Sequence, residues 1–419
     1  RYNEWKVVLF LVTVCFAVKF SWIWFFRIEP AVDYATFYYT AVDLSNQFVI
    51  GNRYVALFPH IFGYAFFLSL FMKLFGTSSF LPPVLNVILS MVALVFIYLI
   101  GKRTAGKKVG IAAGLLWIVF PSQTVYNMFA LSEPLYTTIL LAVLYIMILT
   151  GERIRRMHPV KLGLWGVFLA LLLAWLNVCR PVALIPMIAL FIWLFVIDLK
   201  HFSGRGILYN KLLYFSVTVI LFTVFTSLAN KYISVRIGEE IATIPGYNLY
   251  VGFNEKSSGT WNQDDADLLF YYNDHFLEWT ADDVQRQMLK EAKKRIKGGI
   301  SFGELFLQKL IIFLGNDRGA VGYASTVLDE EFRTVLAWLS DGFYYVLLTL
   351  SLAGAAAVLK RNPRSAVVLA VLYAIGLTLA HMLVEVAVRY HYSLTVTFVI
   401  LAAAGIVQLF GKFPVPRLR

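Results

Sequence analysis

Arg27-Ile-Glu-Pro-Ala-Val-Asp-Tyr-Ala35 follows directly on an apolar run, 7–26. That run is long enough to cross a bilayer, which takes about 17–25 residues. The nine residues therefore leave the membrane. They set a carboxylate, Asp33, seven residues beyond the last apolar residue, Phe26. At that depth it lies at the membrane surface, where a water-soluble molecule can meet a lipid-borne one.

Outward from this stretch the chain stays apolar. Of its 419 residues, 59% are hydrophobic and 15% charged, a balance that excludes a soluble globular protein. Spans are expected near 7–26, 80–101, 109–126, 134–150, 162–179, 181–198, 212–229, 341–359, 366–384 and 392–410. Segments 59–75 and 303–315 are apolar but short or interrupted, which suits interfacial or re-entrant helices. The expected fold is an all-α polytopic membrane protein with about ten transmembrane helices.

The net charge of +12 is distributed for a membrane, not for nucleic acid. Lys102, Arg103, Lys107 and Lys108 form one cluster, and Arg153, Arg155, Arg156 and Lys161 the next. Lys200, Arg205 and Lys211 follow, then Lys360, Arg361 and Arg364, then Lys412, Arg417 and Arg419. They alternate with connections poorer in cations, as the positive-inside rule requires. The rule predicts both termini in the cytoplasm and Asp33 outside. With 102–108 inside, only 80–101 fits as a span between it and the first loop, so 59–75 is not a full crossing. Cys15 and Cys179 offer neither a disulfide framework nor a metal cluster. No N-x-S/T sequon occurs, which favours a bacterial plasma membrane. The first span lacks a small-residue cleavage site and is expected to be retained.

Three regions follow: a membrane module, 1–230, with a long first external loop, 27–79; an external segment, 231–340; and C-terminal spans, 341–419. In the external segment, Thr280-Ala-Asp-Asp283 predicts a capping box opening a polar helix that stops at Gly298-Gly299.

Apart from Lys19, the expected span cores carry no Asp, Glu, Lys or Arg. Coupled transporters place such groups near mid-membrane. Here Glu29, Asp33, His60, Glu133, Arg180, Glu385, Arg389 and His391 gather at the outer ends. Asp33 is the candidate base, since a carboxylate can take a proton from a hydroxyl as it attacks carbon; it also suits the N-cap of a helix 34–46. Glu29 reads as structural or as a support for Asp33. Glu385 and Arg389 have i, i+4 spacing, so Arg389 is either an ion-pair partner or an anion ligand. Arg180 precedes Pro181 and suits an interfacial cation. Glu133 opens a helix, where the dipole favours an acid. His60 precedes an apolar helix in which Gly63 and Tyr64 indicate close packing.

Several motifs in order carry a family resemblance. They are Asp33-Tyr-Ala-Thr-Phe-Tyr-Tyr39, Pro59-His-Ile-Phe-Gly-Tyr64 running to Lys73-Leu-Phe-Gly76, Gly101-Lys-Arg103, Leu131-Ser-Glu-Pro-Leu-Tyr136, Arg180-Pro181, Val251-Gly-Phe-Asn254, Ser258-Gly-Thr-Trp-Asn262 and Arg389-Tyr-His-Tyr392. With them the chain resembles GT-C fold glycosyltransferases that use polyprenyl-phosphate sugars, notably bacterial relatives of the protein mannosyltransferases and of the lipid A aminoarabinose transferase. The resemblance implies juxtamembrane helices in the first loop and a catalytic acid at Asp33. It implies substrate binding at Glu29, His60, Tyr64, Glu133, Arg180, Arg389 and His391. Relatives commonly follow the acid with Glu; Tyr34 stands here, so a divalent metal stays open as a cofactor but without a paired-acid motif to support it. Aminoarabinose-type relatives carry Glu-Lys-Pro at Phe58-Pro59-His60, which passes the lipid phosphate to His60, Arg180 or Arg389.

The implied reaction moves a sugar, with inversion, from polyprenyl phosphate to a hydroxyl of a glycan, lipid or protein at the outer face. A lipid-linked glycan flippase or polysaccharide transporter is the alternative. It would need polar residues through the membrane.

Overall fold

The computed structural model describes residues 3–197, 205–276, 278–361, 365 and 367–410. Of the basic residues used for topology, Lys200, Arg364, Lys412, Arg417 and Arg419 lie outside the described residues.

Every regular element among the described residues is helical. The first half comprises α1 (Glu4–Phe25), α2 (Val32–Asn46), α3 (Arg53–Leu57), α4 (His60–Phe75), α5 (Leu81–Ala105), α6 (Lys107–Val119), α7 (Pro121–Val125), α8 (Glu133–Arg153), α9 (Pro159–Cys179) and α10 (Leu184–Phe191). Then come α11 (Arg205–Ile237), α12 (Gly246–Gly252), α13 (Gln263–His275), α14 (Ala281–Lys297), α15 (Phe302–Leu314), α16 (Gly319–Tyr323), α17 (Glu330–Arg361), α18 (Val367–Leu383) and α19 (Tyr392–Phe410).

Seven helices are long and apolar enough to cross a membrane: α1, α5, α8, α9, α11, α17 and α19 with the turn before it. The expected span 109–126 is broken. It runs as α6 and then Pro121–Met128, bent by 63°, where Pro121 lacks the N–H that would continue the ladder. The expected spans 181–198 and 366–384 correspond to Leu184–Ile197 and α18, which are shorter. At 17 residues, α18 reaches about 25 Å against a core of about 30 Å. Segment 59–75 forms the 16-residue α4 on α2 and α9, and 303–315 falls in α15. Both are short.

Burial orders these helices. In α8, 78% of the apolar window is enclosed, and in α19 67%, against 22% in α1, 17% in α11 and 28% in α17. The first two form the centre and the last three the rim. Lys19, on α1, turns inward, with its Nζ 3.3 Å from the Thr124 hydroxyl and 5.3 Å from the Trp117 ring centroid.

Between α11 and α17 the chain builds an outer layer. It is narrower than 231–340 because both long helices extend beyond their apolar cores with polar turns, through Arg236 and from Glu330. The capping box forms as the sequence predicts. The Thr280 hydroxyl accepts from the Asp283 N–H at 3.2 Å, and Asp283 accepts from the Thr280 N–H at 3.0 Å.

Two close approaches tie this layer and the first loop to the helix ends. A Cβ on Gly63 would lie 2.7 Å from the Cys179 backbone, so α4 lies directly against the end of α9. A Cβ on Gly252 would lie 2.6 Å from Val384. Beside it the buried Lys309 ammonium donates to three carbonyls, those of Gly252 (2.8 Å), Met382 (2.9 Å) and Val384 (2.7 Å). Three oxygens satisfy all three N–H donors of an ammonium. They hold the outer layer to the stretch between α18 and α19.

Candidate active site

The two central helices open onto the same small region: α8 begins with Glu133, and Arg389 lies in the turn Val388–His391 that leads into α19. Asp33 reaches them from the first loop. It sits in the first turn of α2 but caps nothing, because the helix starts at Val32 and the N-cap residue is Ala31. Val32 has φ 47, a left-handed conformation that costs a β-branched residue on the order of 1–3 kcal/mol. Strain next to the candidate base is an observation in favour of a functional constraint there.

The Asp33 carboxylate, 44% exposed, lies 2.5 Å from Nη1 of Arg389. The same Nη1 donates to the Tyr323 hydroxyl at 2.7 Å. On its inner side Arg389 places Nε 3.9 Å from Glu133 Oε1. That oxygen accepts from Arg180 Nη2 at 2.6 Å. Carboxylate and guanidinium thus alternate, Asp33–Arg389–Glu133–Arg180, from the half-exposed rim to the fully buried Glu133. Both guanidiniums lie near the Tyr390 ring, at 5.1 and 5.4 Å from its centroid. Glu133 Oε2 and both arginine Nε atoms are buried and make no hydrogen bond to the described residues. Two cations enclosed with donors to spare suit an anionic guest.

The other predicted residues divide. His60 opens α4; burial, with Arg180 and Arg389 nearby, pushes its imidazole down to about 3. That direction disfavours the imidazolium form in which it would stand in for a lysine at the lipid phosphate. Tyr64, one turn on, is buried with its hydroxyl unpaired among the described residues. Glu29 stands apart from the cluster, exposed, accepting from Ser79 Oγ at 3.3 Å. His391 points away from the guanidiniums. Its Nδ1 is 2.6 Å from the Phe313 carbonyl and its Nε2 3.1 Å from Asp317, so both ring nitrogens are engaged inside the protein and neither is left for a substrate. The i, i+4 reading of Glu385 and Arg389 also fails. α18 ends at Leu383, and Glu385 lies in an extended link whose backbone pairs with Asn248 and Gly259. Glu385 accepts instead from the Tyr390 hydroxyl at 2.9 Å, and burial pushes its carboxyl up.

Tyr54 and Tyr323 were not found from sequence. Burial, with Asp33 and Glu385 nearby, pushes the Tyr54 phenol up to about 12, which marks it as a neighbour of the cluster. Neither sits in a pattern that a span-by-span reading singles out; Tyr390 was at least adjacent to Arg389.

No group of three or more His, Cys, Asp or Glu among the described residues is placed to hold a metal ion. Asp33 and Glu133 each face a guanidinium, an arrangement that fits a divalent cation poorly.

Comparisons with known proteins agree with this architecture. Residues 59–229, less than half of the chain, match the family described as dolichyl-phosphate-mannose-protein mannosyltransferase. The match includes His60, Tyr64, Glu133 and Arg180 but neither Asp33 nor Arg389. No curated protein matches the chain. Among solved structures, the apo oligosaccharyltransferase of Archaeoglobus fulgidus aligns at a TM-score of 0.56 and 14% identity, over 98% of this chain and 51% of that one. The archaeal oligosaccharyltransferase AglB from the same organism, in complex with an inhibitory peptide and a dolichol-phosphate, gives 0.54 and 13%, over 98% and 50%. ArnT from Cupriavidus metallidurans bound to undecaprenyl phosphate aligns over 97% and 79% at 14% identity, but its TM-score of 0.38 is too low to carry an argument. The fold is that of the GT-C membrane proteins. The chain spans about half the length of the archaeal oligosaccharyltransferases it matches.

Proposed function

We propose that the protein is an inverting glycosyltransferase that moves a sugar from a polyprenyl-phosphate donor to an acceptor hydroxyl at the outer membrane face. One observation carries the reading: Arg389 is shared between the half-exposed Asp33 and the buried Glu133. A guanidinium bound to Asp33 both neutralises that carboxylate and is available to a stronger anion. A donor phosphate entering the cluster competes for Arg389. Arg180 and Glu133 hold the far side of the cluster in place. Loss of the Arg389 contact frees Asp33 to accept the proton of the acceptor hydroxyl as its oxygen attacks the anomeric carbon. The C–O bond to phosphate breaks, and the charge that develops there falls to Arg389 and Arg180. Phosphate leaves readily without a general acid. The mechanism routes no step through a metal.

A single displacement inverts the anomeric centre. The test is transfer by purified protein from a synthetic polyprenyl-phosphate hexose to a small alcohol, with the product anomer read by NMR. Inversion is expected; retained configuration would remove the single-displacement mechanism. Movement of lipid across vesicle membranes without transfer would favour the flippase instead.

The outer-face assignment is tested with a thiol reagent that does not cross membranes. Lys256→Cys, exposed near the end of α12, is expected to label on intact cells, and Lys108→Cys, exposed at the start of α6, is not. The opposite pattern would invert the topology.

A further inference from the structure

Helix α14 carries its charge in an unusual way. Its exposed residues are Asp283, Arg286, Lys290, Lys293, Lys294 and Lys297, so every exposed position is charged and five of the six are cations. The one exposed acid is consumed by the capping box. Arg286, Lys290, Lys293 and Lys297 repeat at four, three and four residues, which sets them in one line about 16 Å long. Neighbouring like charges at these spacings destabilise a helix. Acids would usually be interspersed to relieve that. Arg286 has a local partner in Asp282 and Lys294 in Glu291, but Lys290, Lys293 and Lys297 make no ion pair among the described residues. The helix dipole favours cations in the last turn, which explains Lys294 and Lys297 but not the line as a whole.

We propose that this line is the docking surface for a linear polyanion, a chain of regularly spaced phosphate or other acidic groups, presented as the acceptor. Charge complementarity selects the partner's sign, and the length of the line selects a polymer over a single small anion. A bilayer surface is the poorer fit. The apolar face of α14, with Val284, Met288 and Ala292, is buried against the protein, so the helix offers lipid no hydrophobic side, which a helix lying in the interface needs. The line is also tied to the cluster described above. α14 packs on α3, where Gln285 Nε2 donates to the Leu57 carbonyl at 3.2 Å, and α3 carries Tyr54, a neighbour of Asp33. Through α3 the helix that carries the line is packed against the element that carries Tyr54.

Only the polymer's role as acceptor rests on the transferase reading; its binding does not. The probe is a linear polyphosphate of about twenty units, added to full-length protein in nanodiscs of neutral phosphatidylcholine. Wild type is expected to bind it with an affinity that falls steeply with salt. The triple variant Lys290→Gln/Lys293→Gln/Lys297→Gln is expected to bind about tenfold or more weakly. Its salt slope should drop by about two, at roughly 0.7 per cation removed for a flexible chain. Asp33→Asn should bind as wild type does, and transfer to a small neutral alcohol should be unchanged in the triple variant, which separates docking from chemistry. Equal polyphosphate binding by wild type and triple variant would overturn the proposal. So would no binding in neutral nanodiscs together with a variant effect that appears only when phosphatidylglycerol is added, since that assigns the line to lipid headgroups.

Discussion

Asp33→Asn is expected to lower sugar transfer by about 10²–10⁴-fold, the range that a positioned general base contributes. The substitution keeps the shape and one oxygen for Arg389 but removes the capacity to take a proton. Stability should change little. The Asp33 side chain is 44% exposed, and an ion pair that open to solvent contributes about 0–1 kcal/mol. Donor affinity should hold or rise slightly, because a neutral amide competes less well than a carboxylate for Arg389. Initial rates at saturating donor, with donor binding measured on the same preparation, separate the two effects. A variant that keeps more than roughly half of wild-type turnover would remove Asp33 from the mechanism. A loss confined to donor binding would make it a structural partner of Arg389.

Arg389→Ala is expected to weaken donor binding and to slow transfer by about 10²–10³-fold, comparable to losing one preorganised donor to a developing anion. The competing reading makes Arg389 only a tether for Asp33. Under that reading the Ala variant frees the base, leaves the donor alone and keeps transfer close to wild type. The two differ in donor Kd, which only the phosphate role moves. Arg389→Lys should recover part of the loss, since a lysine supplies the charge but not the planar fork that can keep Tyr323 while exchanging Asp33 for a phosphate. Tyr323→Phe is the control for simple loosening, because it removes one hydrogen bond to Nη1 and no charge. Wild-type values in both Arg389 variants would pass the phosphate role to Arg180.

Much of this site could be read from the chain because membranes punish misplaced charge. Asp33, Glu133, Arg180 and Arg389 stood out as ionisable residues at the ends of apolar runs, and the structure gathers all four. What could not be read was their pairing. Spacing in sequence reports on neighbours only where the local element is known. The interval from Glu385 to Arg389 was read as one helical turn. Glu385 lies instead in an extended link that Asn248, Gly259 and, at Val384, Lys309 hold from more than seventy positions away, and Arg389 lies in the turn after it. His391 failed for a similar reason. Its acceptors, the Phe313 carbonyl and Asp317, come from the outer layer, whose packing leaves no periodic trace in α19. The span pattern, by contrast, survives because each long helix must satisfy its own backbone in the bilayer. The broken crossing at Pro121 and two short segments, Leu184–Ile197 and α18, departed from it.

The clip at Lys309 has an evolutionary corollary. All three of its acceptors are main-chain oxygens, of Gly252, Met382 and Val384. A side chain that grips backbone places no demand on what its partners' side chains are, beyond the room that Gly252 must leave for Val384. Substitutions at 382 and 384 can therefore drift without a compensating change at 309. In an alignment of relatives, Lys309 would be fixed yet uncorrelated with the columns of its acceptors, 382 and 384, and methods that infer contacts from covarying pairs would miss the link that joins the outer layer to the end of α18.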